Sequence, residues 1–115
     1  MNTATTFKLK DLLPVLHAQP LTDTCDADVT SCYISDLLSD VLANGKPGSL
    51  WVTVQIHRNV VSVACTKDIA AILITGGRKP DTKVVVEAED AGIVLLTTPL
   101  TTYEAAGKLW ETGLR

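Results

Sequence analysis

Apolar residues fall into short blocks along this chain, and three of these blocks have the pattern of β-strands. Residues 50–56 alternate strictly between two faces, which is typical of a strand. Residues 70–75 and 93–97 are apolar almost throughout, as expected of parallel strands that are covered on both faces. We expect these three blocks to form the centre of a buried sheet.

Segments with helical spacing lie between and beside these strands. From Ser35 to Gly45, apolar residues recur at the positions of a core-facing stripe, which predicts a helix. The residues of that stripe are Ile34, Leu37, Leu38, Val41 and Leu42. A second helix is predicted from Asp81, a good N-cap residue, to Gly92, a residue that commonly ends helices.

The C-terminal segment has the clearest helix start. Thr101 and Glu104 have the spacing of a capping box, in which each side chain accepts a hydrogen bond from the backbone N–H of the other residue. The helix is predicted to run to about Glu111 and to end at Gly113. We expect it to bury Ala105, Ala106, Leu109 and Trp110.

The first part of the chain has weaker patterns. Residues 8–18 have helical spacing, although Pro14 lies inside the pattern. Short strands are predicted at residues 21–22 and 29–34, with an acidic loop at residues 23–28 between them. We expect this part of the chain to add edge elements to the central sheet.

Residues 60–66 fit either a strand or a helix, because they are rich in β-branched residues but also place apolar side chains on one helical face. We favour a helix capped by Asn59, since it joins residues 50–56 to residues 70–75 as a right-handed βαβ unit. The predicted fold class is α/β, with a mainly parallel sheet flanked by helices in three layers. Residues 1–115 form a single domain in this prediction, with residues 1–6 flexible.

Composition and charge restrict the function classes. At 115 residues and 46% apolar content, the chain suits one folded domain. The net charge of −3 and the lack of a basic stripe argue against nucleic-acid binding. No apolar run is long enough to span a membrane, and the N-terminus lacks the apolar core of a signal peptide, so we expect a cytoplasmic protein. The low charged content of 20% favours self-association.

The cysteines and acidic residues do not predict a metal site. Cys25, Cys32 and Cys65 are odd in number and form no CxxC pair, so a disulfide framework is not expected. Together with His17 and His57 they lack the number and spacing of zinc ligands. The acidic loop lacks the glycine and the distal glutamate of an EF-hand. We therefore predict neither a metal nor a cofactor.

The most distinctive polar chemistry follows the ends of the predicted strands, where ligands bind in open parallel sheets. The candidate ligand-binding residues are Thr75, Gly76, Gly77, Arg78, Gln55, His57, Thr97 and Thr98. Amides freed by a glycine turn, together with a guanidinium, suit a small anion or a nucleotide. The simpler alternative is that the glycine pair only makes a turn, that Arg78 is solvated charge and that His57 is a surface histidine.

No catalytic motif is present in the sequence. The GxxxxGK[ST] phosphate loop and a GxGxxG run before a helix are both missing. No serine, cysteine or histidine lies in a nucleophile motif. Asp36 and Asp40 are spaced one helical turn apart, which is typical of a solvated face. We therefore predict that the chain is not an enzyme.

Four stretches, in this order, resemble a stand-alone DRTGG domain: YISDLLSDV at residues 33–41, LWVTVQIH at 50–57, ITGGRKP at 74–80 and LTTYEAAG at 100–107. The resemblance covers nearly the whole chain. DRTGG domains are similar to the N-terminal domain of the kinase/phosphorylase that acts on a sugar-system phosphocarrier protein. They also occur in some phosphotransacetylases and in some pyrophosphatases with CBS domains.

The resemblance implies a prokaryotic α/β accessory domain that regulates or oligomerises rather than catalyses, and that is often dimeric. The phosphate loop and the catalytic aspartate of the kinase lie outside the resemblance, so kinase activity is not implied. One departure concerns Ser31 and Cys32, which stand where relatives tend to carry a glycine pair. If that pair lines a ligand site, the site is altered in this chain.

Together, the residues and the resemblance predict a homodimeric, non-catalytic regulatory domain. We expect it to bind a small anionic or nucleotide ligand at the carboxyl ends of the strands. The alternative prediction is a pure protein–protein interaction or oligomerisation module without a small-molecule ligand. Neither prediction includes a nucleic-acid or membrane partner.

Overall fold

The centre of the molecule is a five-stranded sheet, seen in a computed structural model that describes residues 6–115. Four strands run parallel: β4 (Ser31–Ile34), β5 (Ser49–Thr53), β6 (Ala71–Ile74) and β7 (Val94–Thr97). Strand β2 (Gln19–Pro20) pairs antiparallel with β7, which gives the order β2-β7-β6-β5-β4. Strands β1 (Phe7–Lys8) and β3 (Asp28–Val29) form a separate antiparallel pair. The prediction of a flexible start concerns residues 1–6, which lie outside the described residues except for Thr6.

Helices cover both faces of the sheet. Within residues 6–115 there are five: α1 (Leu9–Val15), α2 (Leu38–Asn44), α3 (Asn59–Thr66), α4 (Thr82–Ala91) and α5 (Thr102–Thr112). Helices α1 and α5 share one hydrophobic core with the sheet, and α2, α3 and α4 share the other. The predicted three-layer α/β fold with a mainly parallel sheet is therefore confirmed.

Alternation along the strands explains why one sheet supports two cores. Successive strand residues point to opposite faces, so Leu50 and Val52 enter the core of α1 and α5, while Trp51 enters the other core. All five residues of β5 are buried, as are all four of β6 and of β7. Strands β6 and β7 are covered on both faces, as their apolar sequences predicted, and β5 is also covered on both faces although its sequence alternates.

Strand β5 ends earlier than predicted. The alternating pattern reaches residue 56, but the strand stops at Thr53. The Asp36 carboxylate accepts hydrogen bonds from the Thr53 hydroxyl, at 2.9 Å, and from the Val54 amide, at 2.8 Å. A side chain from the end of the neighbouring strand thus takes the amide that a longer ladder would have used.

Helix α2 begins at Leu38 rather than at Ser35, whose hydroxyl instead accepts the Leu37 amide at 3.2 Å. The predicted core-facing stripe is wrong for most of its members. Val41 is buried, but Ile34, Leu37 and Leu42 are 43%, 64% and 45% exposed. The reason is that α2 packs at the side of the sheet where β4 is the last strand, so no further strand within residues 6–115 lies beneath its outer flank.

The last helix has a similar correction. Ala105 and Leu109 are buried as predicted, whereas Trp110 is 63% exposed and packs under the Arg115 guanidinium at 3.6 Å from the ring centroid. The predicted capping box is present: Glu104 N–H donates to the Thr101 hydroxyl at 3.1 Å, and Thr101 N–H donates to the Glu104 carboxylate at 2.9 Å. Hydrogen bonding of the Glu104 carboxylate to the Thr101 backbone, and then to the Thr101 side chain, lowers the pKa of Glu104.

The helix predicted over the ambiguous residues 60–66 is confirmed as α3, but its predicted cap is wrong. The Asn59 side chain does not cap the helix; instead, the Asn59 amide donates to Nδ1 of His57 at 3.1 Å. Asp81 occupies the N-cap position of α4 without a side-chain capping bond. Gly92 and Gly113 end α4 and α5 with φ values of 73° and 97°, as predicted.

The N-terminal elements differ from prediction mainly in their bounds. The first helix is shorter than residues 8–18, with Pro14 near its end. The predicted strand at residues 21–22 is found two residues earlier as β2, although the Leu21 amide still donates to the Leu95 carbonyl at 2.8 Å. The predicted strand at residues 29–34 is divided into β3 and β4 at Thr30.

Candidate functional site

The parallel register brings the predicted site residues to one edge of the sheet. Thr53 lies opposite Ile74, which in turn lies opposite Thr97, so strands β5, β6 and β7 end together. We call this edge the carboxyl rim. It consists of Asp36, Gln55, His57, the residues 75–78, Thr97 and Thr98. All eight candidate ligand-binding residues belong to it, which is the arrangement that the predicted topology required.

The three candidate threonines are buried and bonded within the protein. The Thr75 hydroxyl pairs with the Thr102 hydroxyl at 2.7 Å. The Thr97 hydroxyl donates to the Arg78 carbonyl at 2.7 Å, and the Thr98 hydroxyl donates to the Leu16 carbonyl at 2.6 Å. These side chains therefore fasten the glycine turn, α1 and α5 to the rim rather than point into solvent.

The glycine turn is confirmed, but its amides are not free. Gly76 and Gly77 have φ values of 74° and 70°, in the left-handed region that favours glycine. Their amides donate to the Leu100 carbonyl at 2.7 Å and to the Thr98 carbonyl at 2.8 Å. The expectation that these two amides would bind an anion is therefore wrong, because the connection from β7 to α5 already accepts both hydrogen bonds.

Polar groups that can reach a ligand remain at the rim. Arg78 is exposed and makes no ion pair with any of the residues 6–115. His57 is exposed, and because its Nδ1 atom accepts the Asn59 amide, Nε2 is the ring nitrogen left for a ligand. Gln55 donates its side-chain N–H to the Asp36 carbonyl at 3.0 Å. Arg78 and His57 are thus the two candidates best placed to contact an anion.

A cleft of about 370 Å³ opens beside this rim, between the starts of α3 and α4. Its lining residues are Ile56, His57, Arg58, Asp81, Lys83, Val84 and Glu87. Arg58 pairs with Glu87 at 3.4 Å across the cleft, and both groups are substantially exposed. Among the eight candidates only His57 lines the cleft, while Arg78 precedes Asp81 in the connection from β6 to α4.

Sequence reasoning missed Arg58 and Lys83 as cleft residues. The available signal was their position, since each lies at the start of a helix that directly follows a parallel strand. Helix starts carry partial positive charge from their unpaired amides, and here two of them flank the same cleft. The cleft therefore presents an imidazole, a guanidinium and an ammonium group, balanced by the carboxylates of Asp81 and Glu87.

No group of three or more His, Cys, Asp or Glu residues within 6–115 is arranged to hold a metal ion. The three cysteines are free thiols, and burial raises the pKa of Cys32 to about 11. No helix among the described residues has the length and apolar character needed to cross a bilayer.

The parallel sheet, the helices on both of its faces and the polar carboxyl rim define a small three-layer α/β domain. The family model of the DRTGG domain matches residues 11–112, and the chain therefore belongs to the DRTGG domain family. The resemblance seen in the four sequence stretches is confirmed by this match. A search of curated proteins finds no match to the chain.

A similar solved structure contains the CBS and DRTGG domains of the regulatory region of Clostridium perfringens pyrophosphatase, complexed with its activator, diadenosine tetraphosphate. It shares 14% identity with this chain at a TM-score of 0.73, over 88% of this chain. The match spans 45% of the chain in that structure, so this protein covers less than half of the regulatory region it resembles. At this identity the likeness confirms the fold, and it shows that a DRTGG domain forms part of a regulatory region.

Proposed function

We propose that this chain is a non-catalytic regulatory domain, homodimeric and cytoplasmic in a prokaryote, that binds a small anion or a nucleotide at its carboxyl rim. One observation carries the ligand proposal. The parallel register brings exposed Arg78 and His57 to the same rim, beside a cleft that adds Arg58 and Lys83. Four groups that can donate to a phosphate or carboxylate oxygen thus lie on one side of the sheet.

The chemistry of the cleft favours a phosphorylated ligand. Its volume of about 370 Å³ falls at the lower end of small-molecule sites. A guanidinium binds phosphate through two parallel hydrogen bonds, whereas a lysine acts as a mobile point charge. Ile56 and Val84 supply an apolar wall against which a base or another flat group can pack.

The nucleotide part of the proposal has support from the similar regulatory region. The pyrophosphatase region that contains a DRTGG domain is complexed with a dinucleoside polyphosphate activator. That chain also contains CBS domains, so its ligand guides the choice of compounds rather than the position of the site. The proposed ligand contacts of this chain rest on its own carboxyl rim and cleft.

A thermal-shift screen tests this proposal with inorganic phosphate, AMP, ATP and diadenosine tetraphosphate. A ligand present at ten times its dissociation constant stabilises the native state by about 1.4 kcal/mol, or roughly 5 °C in Tm for a domain of this size. We expect at least one phosphorylated compound to give this shift. Arg78→Ala and Lys83→Ala should each remove most of it.

The matched control is Lys10→Ala, which removes an exposed cation from α1 on the opposite face of the sheet. Its shift should equal that of the unmodified protein. A flat screen across all four compounds would contradict the ligand proposal. A shift that survives in both Arg78→Ala and Lys83→Ala would place the ligand elsewhere on the molecule.

The second candidate function is a pure interaction or oligomerisation module. Four large apolar side chains at β4, α2 and α5 favour it, because they are substantially exposed: Ile34, Leu37, Leu42 and Trp110. The two candidates differ in the screen described above. A module without a ligand gives no thermal shift but still associates in solution.

A further inference from the structure

Strand β4 is the last strand of the sheet, and no further strand within residues 6–115 pairs with its outer side. The Ser35 amide donates inward to the Val52 carbonyl at 3.3 Å, whereas the Cys32 amide points outward and donates to the Arg115 carbonyl at 3.4 Å. Alternate residues of a strand direct their backbone groups to opposite sides, so the N–H and C=O groups of Ile34 also point outward. Unpaired backbone groups of this kind are a template for another strand.

Exposed apolar side chains flank this open strand on both faces of the sheet. We call Ile34, Leu37, Leu42 and Trp110 the apolar edge. On the α5 face, Ile34 and Trp110 line a groove of about 180 Å³ together with Cys32, Ala106, Leu109, Leu114 and Arg115. On the other face, Leu37 and Leu42 belong to the start and the body of α2.

The position of α2 at the border is fixed by a contact with β4 itself. The Tyr33 hydroxyl donates to both Asp40 carboxylate oxygens at 2.9 Å, and the Asn44 amide donates to Asp40 at 2.9 Å. The side chains of Ser35, Asn44 and Tyr33 lower the pKa of Asp40, so the acceptor stays ionised. Helix α2 is therefore tied to the edge strand on this face of the sheet.

We propose that a second copy of this chain covers the apolar edge, with the two β4 strands paired antiparallel about a twofold axis at Ile34. In this arrangement each Ile34 N–H donates to the Ile34 carbonyl of the other copy. The twofold axis keeps each face of the sheet on its own side, so α2 meets α2 and α5 meets α5. This interface rests on the homodimer of the proposed function and assigns a surface to it.

Two observations favour a second copy over a bound peptide. The free edge is short, because the Cys32 amide already has an acceptor in Arg115, so backbone pairing gives any occupant few hydrogen bonds and side-chain contacts must supply the rest. The occupant must also cover apolar side chains on both faces of β4, which requires a partner with helices on both faces of its own edge strand. This chain has that architecture.

The exposed apolar surface of the apolar edge is of the size expected at the centre of a protein–protein interface. Trp110 is 63% exposed and so presents on the order of 150 Å² of aromatic surface. Exposed apolar patches beyond a few hundred Å² mark interaction surfaces on soluble domains. Pairing through β4 also buries the adjoining flanks of α2 and α5. These flanks raise the buried area toward the roughly 800 Å² per partner that is usual in a stable complex.

Sedimentation velocity over a concentration series tests the interface. We expect the unmodified protein to be dimeric, and Ile34→Glu and Trp110→Glu to raise the dimer dissociation constant at least 100-fold. The matched control is Val86→Glu, which adds the same charge to a 48% exposed apolar residue on α4, away from the β4 edge. Val86→Glu should remain dimeric. Far-UV circular dichroism confirms that each variant is folded.

A crosslinking experiment tests the symmetry directly. Hydrogen-bonded antiparallel residue pairs have Cα atoms about 5.5 Å apart, which suits a disulfide. In a background with Cys25, Cys32 and Cys65 replaced by alanine, Ile34→Cys should form a covalent dimer on mild oxidation, and Val86→Cys should not. A protein that is monomeric at all concentrations overturns the homodimer itself. A dimer that persists in both glutamate variants and resists crosslinking at residue 34 overturns this interface alone.

Discussion

Trp51→Ala is expected to lower the free energy of unfolding by about 3–5 kcal/mol, the usual cost of removing a large aromatic side chain from a core. Trp51 has no exposed surface and is the largest fully buried side chain in the described residues. Its Nε1–H also donates to the Ser35 carbonyl at 2.8 Å, which joins β5 to the end of β4. Urea unfolding followed by circular dichroism measures the loss.

The comparison variant is Trp51→Phe, which keeps most of the apolar contact but removes the indole donor. We expect it to cost about 1–3 kcal/mol, because the Ser35 carbonyl loses its buried partner and a small cavity is left. A loss below about 1 kcal/mol for Trp51→Ala would contradict the packing described here, since a fully buried indole cannot be removed so cheaply.

Asp36→Ala is expected to destabilise the domain by about 2–3 kcal/mol. Its carboxylate accepts hydrogen bonds from the Thr53 hydroxyl and from the Val54 amide, and bonds to charged groups are worth roughly 1.5–3 kcal/mol each. The residue is exposed, so solvent replaces part of the loss and the expected total is below the sum. The same urea experiment measures this change.

Two controls separate the roles of the Asp36 side chain. Asp36→Asn keeps an acceptor oxygen for both bonds and should lose less than half as much stability as Asp36→Ala. Asp90→Ala removes an exposed carboxylate from α4 and should change stability by less than about 0.5 kcal/mol. Equal losses in Asp36→Ala and Asp90→Ala would show that the carboxylate does not hold the end of β5.

Much of the fold could be predicted because β6 and β7 are covered on both faces and so carry nearly unbroken apolar sequence, while β5 shows the alternation of a strand. The sequence of α3 fits either a strand or a helix. The helix was predicted only because it completes a right-handed βαβ connection between β5 and β6. Helix α2 and Trp110 show the limit of periodicity. Spacing identifies an apolar face, but it does not say whether the sheet extends far enough to cover that face.

The candidate site was predictable in position and less so in detail. Parallel topology alone placed Gln55, Thr75 and Thr98 at one rim. The hydrogen-bond partners of the rim, such as Leu16 and Thr102, come from remote parts of the chain, so no local pattern shows that the threonine hydroxyls are already used. The cleft could not be predicted for the same reason, because it forms between the starts of α3 and α4, which are distant in sequence.

Backbone amide NMR spectra of isotope-labelled protein, titrated with diadenosine tetraphosphate and separately with inorganic phosphate, test most directly whether the carboxyl rim holds a ligand. We predict saturable shifts concentrated at residues 56–58 and 76–84, with the β4 side of the sheet unaffected. Unchanged spectra at millimolar concentrations of both compounds would contradict a ligand site at this rim. Shifts confined to residues outside the rim and the cleft would contradict it equally.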